Sequence, residues 1–159
     1  MTGVQTCALP IFCTHIDTAA LPCGVIHADL FPDNIFFDPQ GNISGVIDFY
    51  FACRDALAYD LMLTFNAWCF DGDGALDQGR AHAFIAAYQA IRPLSPEECR
   101  ALPALGQAAG LRIIATRLYD WLHPVSTALI QPKDPRAYLP ILRYHQNLGT
   151  DGSYPWWPA

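Results

Sequence analysis

Three polar side chains early in the chain have the types and the spacing that phosphoryl-transfer chemistry requires. Asp29 and Asn34 stand five residues apart, and Asp48 follows fourteen residues later. The transfer of a phosphoryl group from ATP needs a carboxylate that orients the attacking hydroxyl and accepts its proton. It also needs an amide oxygen and a second carboxylate that hold magnesium against the phosphates. Asp29 is therefore a candidate base, and Asn34 and Asp48 are candidate magnesium ligands.

Short apolar runs on either side of these residues predict how the chain positions them. Residues 23–27 are typical of a buried strand entering a loop, 35–37 of the strand that leaves it, and 43–47 of a return strand. A hairpin of this size brings Asp48 back beside Asn34, so that both can face one ion. A plain turn rich in Asp, Asn and Pro is the structural alternative.

The same residues match the catalytic loop of protein kinases, written H-R-D-L-x-x-x-N and followed by a metal-binding aspartate. His27, Asp29, Leu30 and Asn34 stand at its spacing, and Asp48 takes the downstream place. Histidine titrates in a range that suits proton transfer. Because Asp29 already holds the position of the base, we expect His27 to serve catalysis by orienting the loop through hydrogen bonds.

Two longer runs, residues 27–34 and 46–61, resemble the C-terminal lobe of the aminoglycoside phosphotransferase and choline kinase superfamily. Within it, the chain resembles bacterial homoserine kinases of this type. Three shorter runs carry this narrower likeness: 87–94, 116–121 and 133–136. The resemblance implies a protein-kinase-like α+β lobe, mainly helical, with a small β-hairpin carrying the active-site loops. It implies ATP and Mg²⁺ as cofactors and a small alcohol as acceptor, first of all L-homoserine, in threonine biosynthesis.

The resemblance also implies a missing partner. The family places an N-terminal lobe before the catalytic loop, with a lysine that grips the phosphates of ATP. Here 26 residues precede His27, and the one lysine is Lys133, far downstream. Residues 1–12 fit poorly with the rest of the chain and are expected to be a non-native leader, before a lobe at 13–150 and a tail at 151–159.

Composition bounds the class of protein. The chain has 159 residues, of which 52% are hydrophobic and 15% charged, which is typical of one globular domain. A formal net charge of -6 argues against nucleic acid as a partner, and no apolar run is long enough for a membrane helix. The six cysteines form no C-x-x-C pair, so we expect buried free thiols in a reducing cytoplasm.

Helical periodicity dominates the rest of the chain. Helices are predicted to begin at five positions: Asp55, Asp77, Ser95, Gly106 and Asp134. Pro103 should end or break the helix that begins at Ser95. The helix after it is expected to bury the stripe formed by Leu111, Ile114, Leu118 and Trp121.

Charged residues on these helices are candidates for binding a substrate. Arginine suits two-pronged recognition of a carboxylate, so Arg112 or Arg117 could hold the carboxylate of a free amino acid. A structural ion pair with Asp55, Asp60 or Asp120 is the alternative for either arginine. Asp55 could instead face a substrate ammonium group, and Asp60 either holds the catalytic loop or is an ordinary helix carboxylate.

Two further functions stay open at this level. One is a kinase of a different alcohol, since choline would call for an aromatic cage and an aminoglycoside for a strongly acidic cleft. The other is a non-catalytic remnant or an interaction domain, which the missing phosphate-binding lysine and Gly-rich loop favour.

Overall fold

The computed structural model describes residues 20–124, residues 132–148 and Tyr154. The predicted leader at 1–12 lies outside these residues, as does the predicted tail at 151–159 apart from Tyr154. The described part of the chain consists of helices with two small antiparallel sheets.

Each sheet has two strands. Strand β2 (Ile35–Phe37) pairs with β3 (Ile43–Val46), which confirms the predicted hairpin. Strand β1 (Cys23–Ile26) pairs with β4 (Cys53–Ala56), a strand that periodicity did not predict. The prediction that the first strand is buried was wrong, because within β1 only Ile26 is buried.

The first helix, α1 (Leu57–Trp68), begins two residues later than predicted. Asp55 does not cap it, since Asp55 lies within β4 and faces Gly24 in the register with β1. The strand pairing runs on to Ala56 and so keeps Asp55 extended. Leu61 and Phe65 lie on the buried face of this helix.

Two further helices begin where their capping residues predicted. Helix α2 (Gln78–Ile91) is capped by Asp77, whose side chain accepts a hydrogen bond from the third residue of the helix. Helix α3 (Pro96–Leu122) opens on the predicted capping box, in which Ser95 and Glu98 each accept the other's backbone N–H.

Helix α3 runs without interruption through Pro103, so the predicted break was wrong. A proline inside a helix removes one backbone hydrogen bond and costs about 3 kcal/mol. Its neighbours Leu102 and Leu105 are each 1% exposed, and α3 packs along α1. Burial of these leucines, at roughly 1.5–3 kcal/mol each, offsets the cost of the proline.

The predicted apolar stripe of α3 was wrong in its C-terminal half, whereas Ile114 does pack against the core. Leu118 and Trp121 are 44% and 49% exposed. The buried face is instead made of Leu102, Leu105, Ala109 and Ile113, together with smaller residues between them.

The end of the described chain packs on α3. A single 3₁₀ turn (Pro135–Tyr138), capped by Asp134 as predicted, leads into α4 (Leu139–Gln146). His145 of α4 is 1% exposed, and its ring nitrogens lie 2.7 Å from Asn66 Oδ1 and 3.0 Å from the hydroxyl of Tyr154. These bonds join α4 to α1 and to the Tyr154 segment.

The four described cysteines are free thiols, but not all are buried as expected. Cys69 is buried, whereas Cys23 and Cys53 are exposed because they lie in strands that each bury only one residue. In the described part of the chain, no helix has both the length and the apolarity needed to cross a membrane.

Candidate active site

The backbone of the catalytic loop is held by a carboxylate of α1. Asp60 Oδ1 accepts the N–H of Ala28 at 2.8 Å, and its Oδ2 accepts the N–H of His27 at 3.1 Å. Ala28 has a φ of 61°, in the left-handed region that non-glycine residues rarely adopt. Surrounding contacts must hold such a conformation. Of the two alternatives for Asp60, these hydrogen bonds support the one in which it holds the loop.

His27 ties this loop to the residue before Asp48. Its Nδ1 accepts the backbone N–H of Asp29 at 3.2 Å, and its Nε2 lies 2.9 Å from the carbonyl oxygen of Ile47. Since Nδ1 accepts a hydrogen bond, the ring proton is on Nε2, which donates a hydrogen bond to the carbonyl oxygen of Ile47. The ring packs against Phe49, with the centroids 4.7 Å apart. Both ring nitrogens are thus engaged with the backbone, which suits an orienting role for His27.

The side-chain amide of Asn34 is oriented by the loop itself. Its Nδ2 donates to the carbonyl oxygen of Asp29 at 2.8 Å, and its own backbone carbonyl accepts the N–H of Ile47 at 3.0 Å. The amide oxygen therefore points away from the loop, and no described residue hydrogen-bonds to it. Asp48, with a φ of 64°, is exposed, and its carboxylate likewise has no hydrogen-bond partner among the described residues.

Two long side chains from different helices clamp the same loop. Arg112 of α3 donates to the carbonyl oxygen of Ala28 and lies over the ring of Phe51, 5.1 Å from its centroid. Trp68 of α1 donates from Nε1 to the carbonyl oxygen of Leu30 at 2.8 Å. The loop is therefore fixed from both helices.

A cavity of about 380 Å³ opens beside the loop and unites most of the predicted site. Its lining includes the predicted residues Asp29, Asn34, Asp48, Arg112 and Arg117. The remaining lining residues are Phe31, Asp33, Phe51, Ile113, Thr116, Asp120 and Lys133.

Two predicted site residues do not line this cavity. His27 lies behind the loop that it orients. Asp55 lies on β4, where its Oδ1 accepts the N–H of Ala56 at 2.7 Å. The structure therefore does not bring Asp55 together with Asp29.

The electrostatics of the cavity favour a working base. Burial raises the pKa of the Asp29 carboxyl above its usual value, the nearby Arg112 guanidinium lowers it, and Asp48 raises it again, with a net rise. A carboxylate whose pKa moves toward neutral pH is a stronger base. Burial also raises the pKa of Tyr59 to about 12, against the opposing effect of the nearby Arg112 guanidinium.

Helix α3 supplies site residues that sequence reasoning missed. Thr116 and Asp120 follow Arg112 at intervals of four residues, so the three share one face of the helix. That spacing is visible in the sequence and could have identified them. In the described part of the chain, neither Arg112 nor Arg117 lies within 4.0 Å of a carboxylate oxygen, so the alternative of a structural ion pair is not observed.

Relatives with similar sequences match most of this chain. The chain is 52% identical over 136 residues to a homoserine kinase of Azorhizobium caulinodans, covering 86% of this chain and 42% of that protein. It is 53% identical over 134 residues to a homoserine kinase of Gluconacetobacter diazotrophicus, covering 84% of this chain and 41% of that protein. The chain thus spans about two fifths of the length of these relatives.

A solved structure shares the fold. A Plasmodium vivax ethanolamine kinase superposes with a TM-score of 0.60 at 17% identity, covering 87% of this chain and 37% of that one. The model of the phosphotransferase enzyme family matches residues 8–94, a range that contains the loop, the hairpin and the Asp60 carboxylate that holds the loop. The chain therefore belongs to the phosphotransferase enzyme family.

Proposed function

We propose that this chain is the catalytic C-terminal lobe of a kinase that transfers the γ-phosphoryl group of ATP to the side-chain hydroxyl of L-homoserine. The observation that carries the proposal is that Asp29, Asn34 and Asp48 open onto one cavity whose other wall carries two arginines. The identity of about 52% to homoserine kinases supports the choice of acceptor.

The donor set fits magnesium. Asn34 presents its amide oxygen and Asp48 its carboxylate, and both are hard oxygen ligands without a hydrogen-bond partner among the described residues. Magnesium takes few protein ligands and keeps several waters, so two such groups are enough. Bound there with ATP, the ion would neutralise negative charge on the phosphates.

Asp29 is the proposed base. Its carboxylate would orient the acceptor hydroxyl and take its proton as the oxygen attacks. The positioning of Asp29 depends on His27, which accepts its backbone N–H, and on Asp60 and Arg112, which fix the preceding residue. The held backbone keeps the carboxylate in place before the acceptor binds.

The charge of the cavity favours an amino acid over the other alcohols. A choline site would need several aromatic faces around a quaternary ammonium, and an aminoglycoside site would need a wall dominated by acidic groups. The lining carries three cationic side chains and four aspartates, so it matches the two opposite charges of a free amino acid rather than a lone cation. A free amino acid brings a carboxylate that an arginine can bind.

The exposed apolar side chains on and after the hairpin support the proposal that an N-terminal lobe packs against them. Large apolar side chains stand open to solvent on β2, β3 and the segment after them: Phe36, Phe37, Ile43, Val46, Ile47, Phe49 and Tyr50. Exposed apolar side chains grouped on neighbouring strands in this way are typical of an interface. We assign it to the lobe that would supply the rest of the ATP site. The free thiols of the described cysteines fit a cytoplasmic enzyme.

The proposal is tested on a lobe-completed enzyme, in which the chain is joined to the preceding portion of the Azorhizobium caulinodans relative. We expect phosphorylation of L-homoserine that depends on both ATP and Mg²⁺. If this enzyme binds Mg-ATP but phosphorylates choline or an aminoglycoside instead, the assignment of homoserine is wrong. If it fails to bind Mg-ATP, the chain is a non-catalytic remnant.

A further inference from the structure

Helix α3 presents two opposite charges to the cavity. Arg117 and Asp120 both line it and stand three residues apart, a spacing at which side chains on a helix are neighbours. Opposite charges at this spacing often pair. Here no guanidinium nitrogen of Arg117 lies within 4.0 Å of an Asp120 oxygen.

Arg117 is held in place without being neutralised. Its guanidinium lies over the ring of Tyr138, with Cζ 4.6 Å from the ring centroid, and its Nη1 donates to the carbonyl oxygen of Asp134 at 3.4 Å. Neither the ring of Tyr138 nor the carbonyl oxygen of Asp134 carries a full negative charge. Arg117 lines the cavity, and its planar fork has further N–H groups that can bind a ligand there.

Asp120 is the complementary group. It is exposed on the cavity wall, and its carboxylate has no hydrogen bond or ion pair to any residue that the structure describes. The hydroxyl of its neighbour Thr116 donates its proton to the carbonyl oxygen of Arg112 at 3.0 Å.

The geometry points to Arg117 and Asp120 as the pair that recognises the α-carboxylate and the α-ammonium of a free amino acid. This inference rests on the proposed function and deepens it. The two charges of an amino acid stand on one carbon, so they need opposite charges presented side by side, as α3 presents them. Asp120 thereby takes the role that the sequence suggested for Asp55, which does not line the cavity.

The remaining candidates in the cavity are less suited to this role. Lys133 is already paired with Asp33 at 3.1 Å. Arg112 also makes a carbonyl hydrogen bond and a ring contact, but its bond to Ala28 is shorter than the 3.4 Å bond of Arg117 and serves to hold the loop. Arg117 and Asp120 are thus the specificity-determining residues, and they bind the acceptor end that does not react.

The test measures binding of three ligands to the 159-residue chain by NMR titration. L-Homoserine carries both charges, 4-hydroxybutyrate lacks the ammonium, and homoserinol lacks the carboxylate. For Asp120→Asn we expect at least a tenfold loss of affinity for homoserine and homoserinol, with 4-hydroxybutyrate unchanged. For Arg117→Gln we expect the same loss for homoserine and 4-hydroxybutyrate, with homoserinol unchanged.

Two controls keep the result specific. Asp73→Asn makes the same charge change in an exposed loop and should leave all three affinities unchanged. The amide spectrum of each variant must match that of the parent. If both variants weaken all three ligands equally, or if the parent chain binds homoserine no better than its two analogues, the inference is overturned.

Failure of the inference and failure of the proposed function are separable. If the lobe-completed enzyme phosphorylates homoserine while Asp120→Asn retains its preference over 4-hydroxybutyrate, the assigned pair is wrong and the function stands. If that enzyme phosphorylates a different alcohol and not homoserine, the function fails and the inference fails with it.

Discussion

The Asp60 carboxylate and the Ala28 backbone are 32 residues apart in sequence and joined by a hydrogen bond of 2.8 Å. Ala28 directly precedes the proposed base Asp29, and its backbone is in the left-handed conformation. The second oxygen of Asp60 holds His27. One carboxylate on α1 therefore fixes the entry to the active-site loop.

Replacing Asp60 by Asn should damage both stability and turnover. The Asn side chain has one acceptor oxygen, so its NH₂ group would face the second backbone N–H. One charge-assisted hydrogen bond, worth about 1.5–3 kcal/mol, is therefore lost. We expect the free energy of unfolding of the chain to fall by about that amount in a denaturant titration. In the lobe-completed enzyme, kcat should fall by at least about tenfold. Unchanged stability would show that Asp60 does not hold the loop.

Replacing Arg112 by Gln should move the pH dependence of catalysis. The Arg112 guanidinium lowers the pKa of Asp29, so its removal raises that pKa further above the usual value. Because the base works only when ionised, the acidic limb of the kcat/KM profile of the lobe-completed enzyme should shift to higher pH. Exposed Arg54→Gln, which makes the same charge change on β4, should leave the limb in place. A shift to lower pH would argue against Asp29 as the base.

Replacing Gly106 by Ala should destabilise the fold, because a Cβ at this position would lie 2.7 Å from ring atoms of His145. Overpacking of this kind costs about 1–3 kcal/mol. Gly110 is the matched control on the same helix, since an added Cβ there meets its nearest atoms at ordinary distances of 3.7 Å. We expect Gly110→Ala to leave the melting temperature unchanged or raised, and a melting temperature of Gly106→Ala equal to that of Gly110→Ala would refute the packing.

Acid should weaken the fold through His145. Burial lowers the pKa of His145 to about 3, below its ordinary value near 6.5 in the unfolded chain. Between these two values the unfolded state binds one more proton than the folded state. Stability from this group is thus complete above about pH 6.5 and is lost as the pH falls, by up to about 1.4 kcal/mol per pH unit.

The measurement compares urea denaturation of the parent and His145→Gln between about pH 4.5 and 6.5, inside the window in which the two states differ in bound protons. The variant should be less stable at neutral pH and less sensitive to acid, while exposed His82→Gln should keep the slope of the parent. Equal slopes for the parent and His145→Gln would mean that the buried ring is not the group that titrates on unfolding.

The loop and the hairpin could be predicted because their determinants are local. Asp29, Asn34 and Asp48 stand at fixed spacings in a short segment, and a hairpin between them leaves little freedom. The capping box at Ser95 is local in the same sense and was also correct. The role of Asp60 could be anticipated only as one of two equal alternatives, since its partners are more than 30 residues away.

Helix α3 was predicted poorly because its buried face is made partly of small residues. Gly106, Ala108, Ala109 and Gly110 are buried there and give little hydrophobic signal, while larger apolar residues such as Leu118 are exposed. A search for the largest apolar stripe therefore selected the wrong face. The same search also missed the face of α3, with Thr116 and Asp120, that lines the cavity.

Strand β4 could not be predicted from its own residues. Its sequence, Cys-Arg-Asp-Ala, carries little β-propensity, and its extended backbone is set by pairing with β1. The helix start was misplaced at Asp55 for the same reason.

Replacing Asp29 by Asn in the lobe-completed enzyme, with transfer of labelled phosphate from ATP to L-homoserine as the readout, tests whether Asp29 is the base. We expect kcat to fall by at least about a hundredfold, the size of a general-base effect. The melting temperature and the affinity for Mg-ATP should stay close to those of the parent. Turnover within a few-fold of the parent would contradict the assignment of Asp29 as the base.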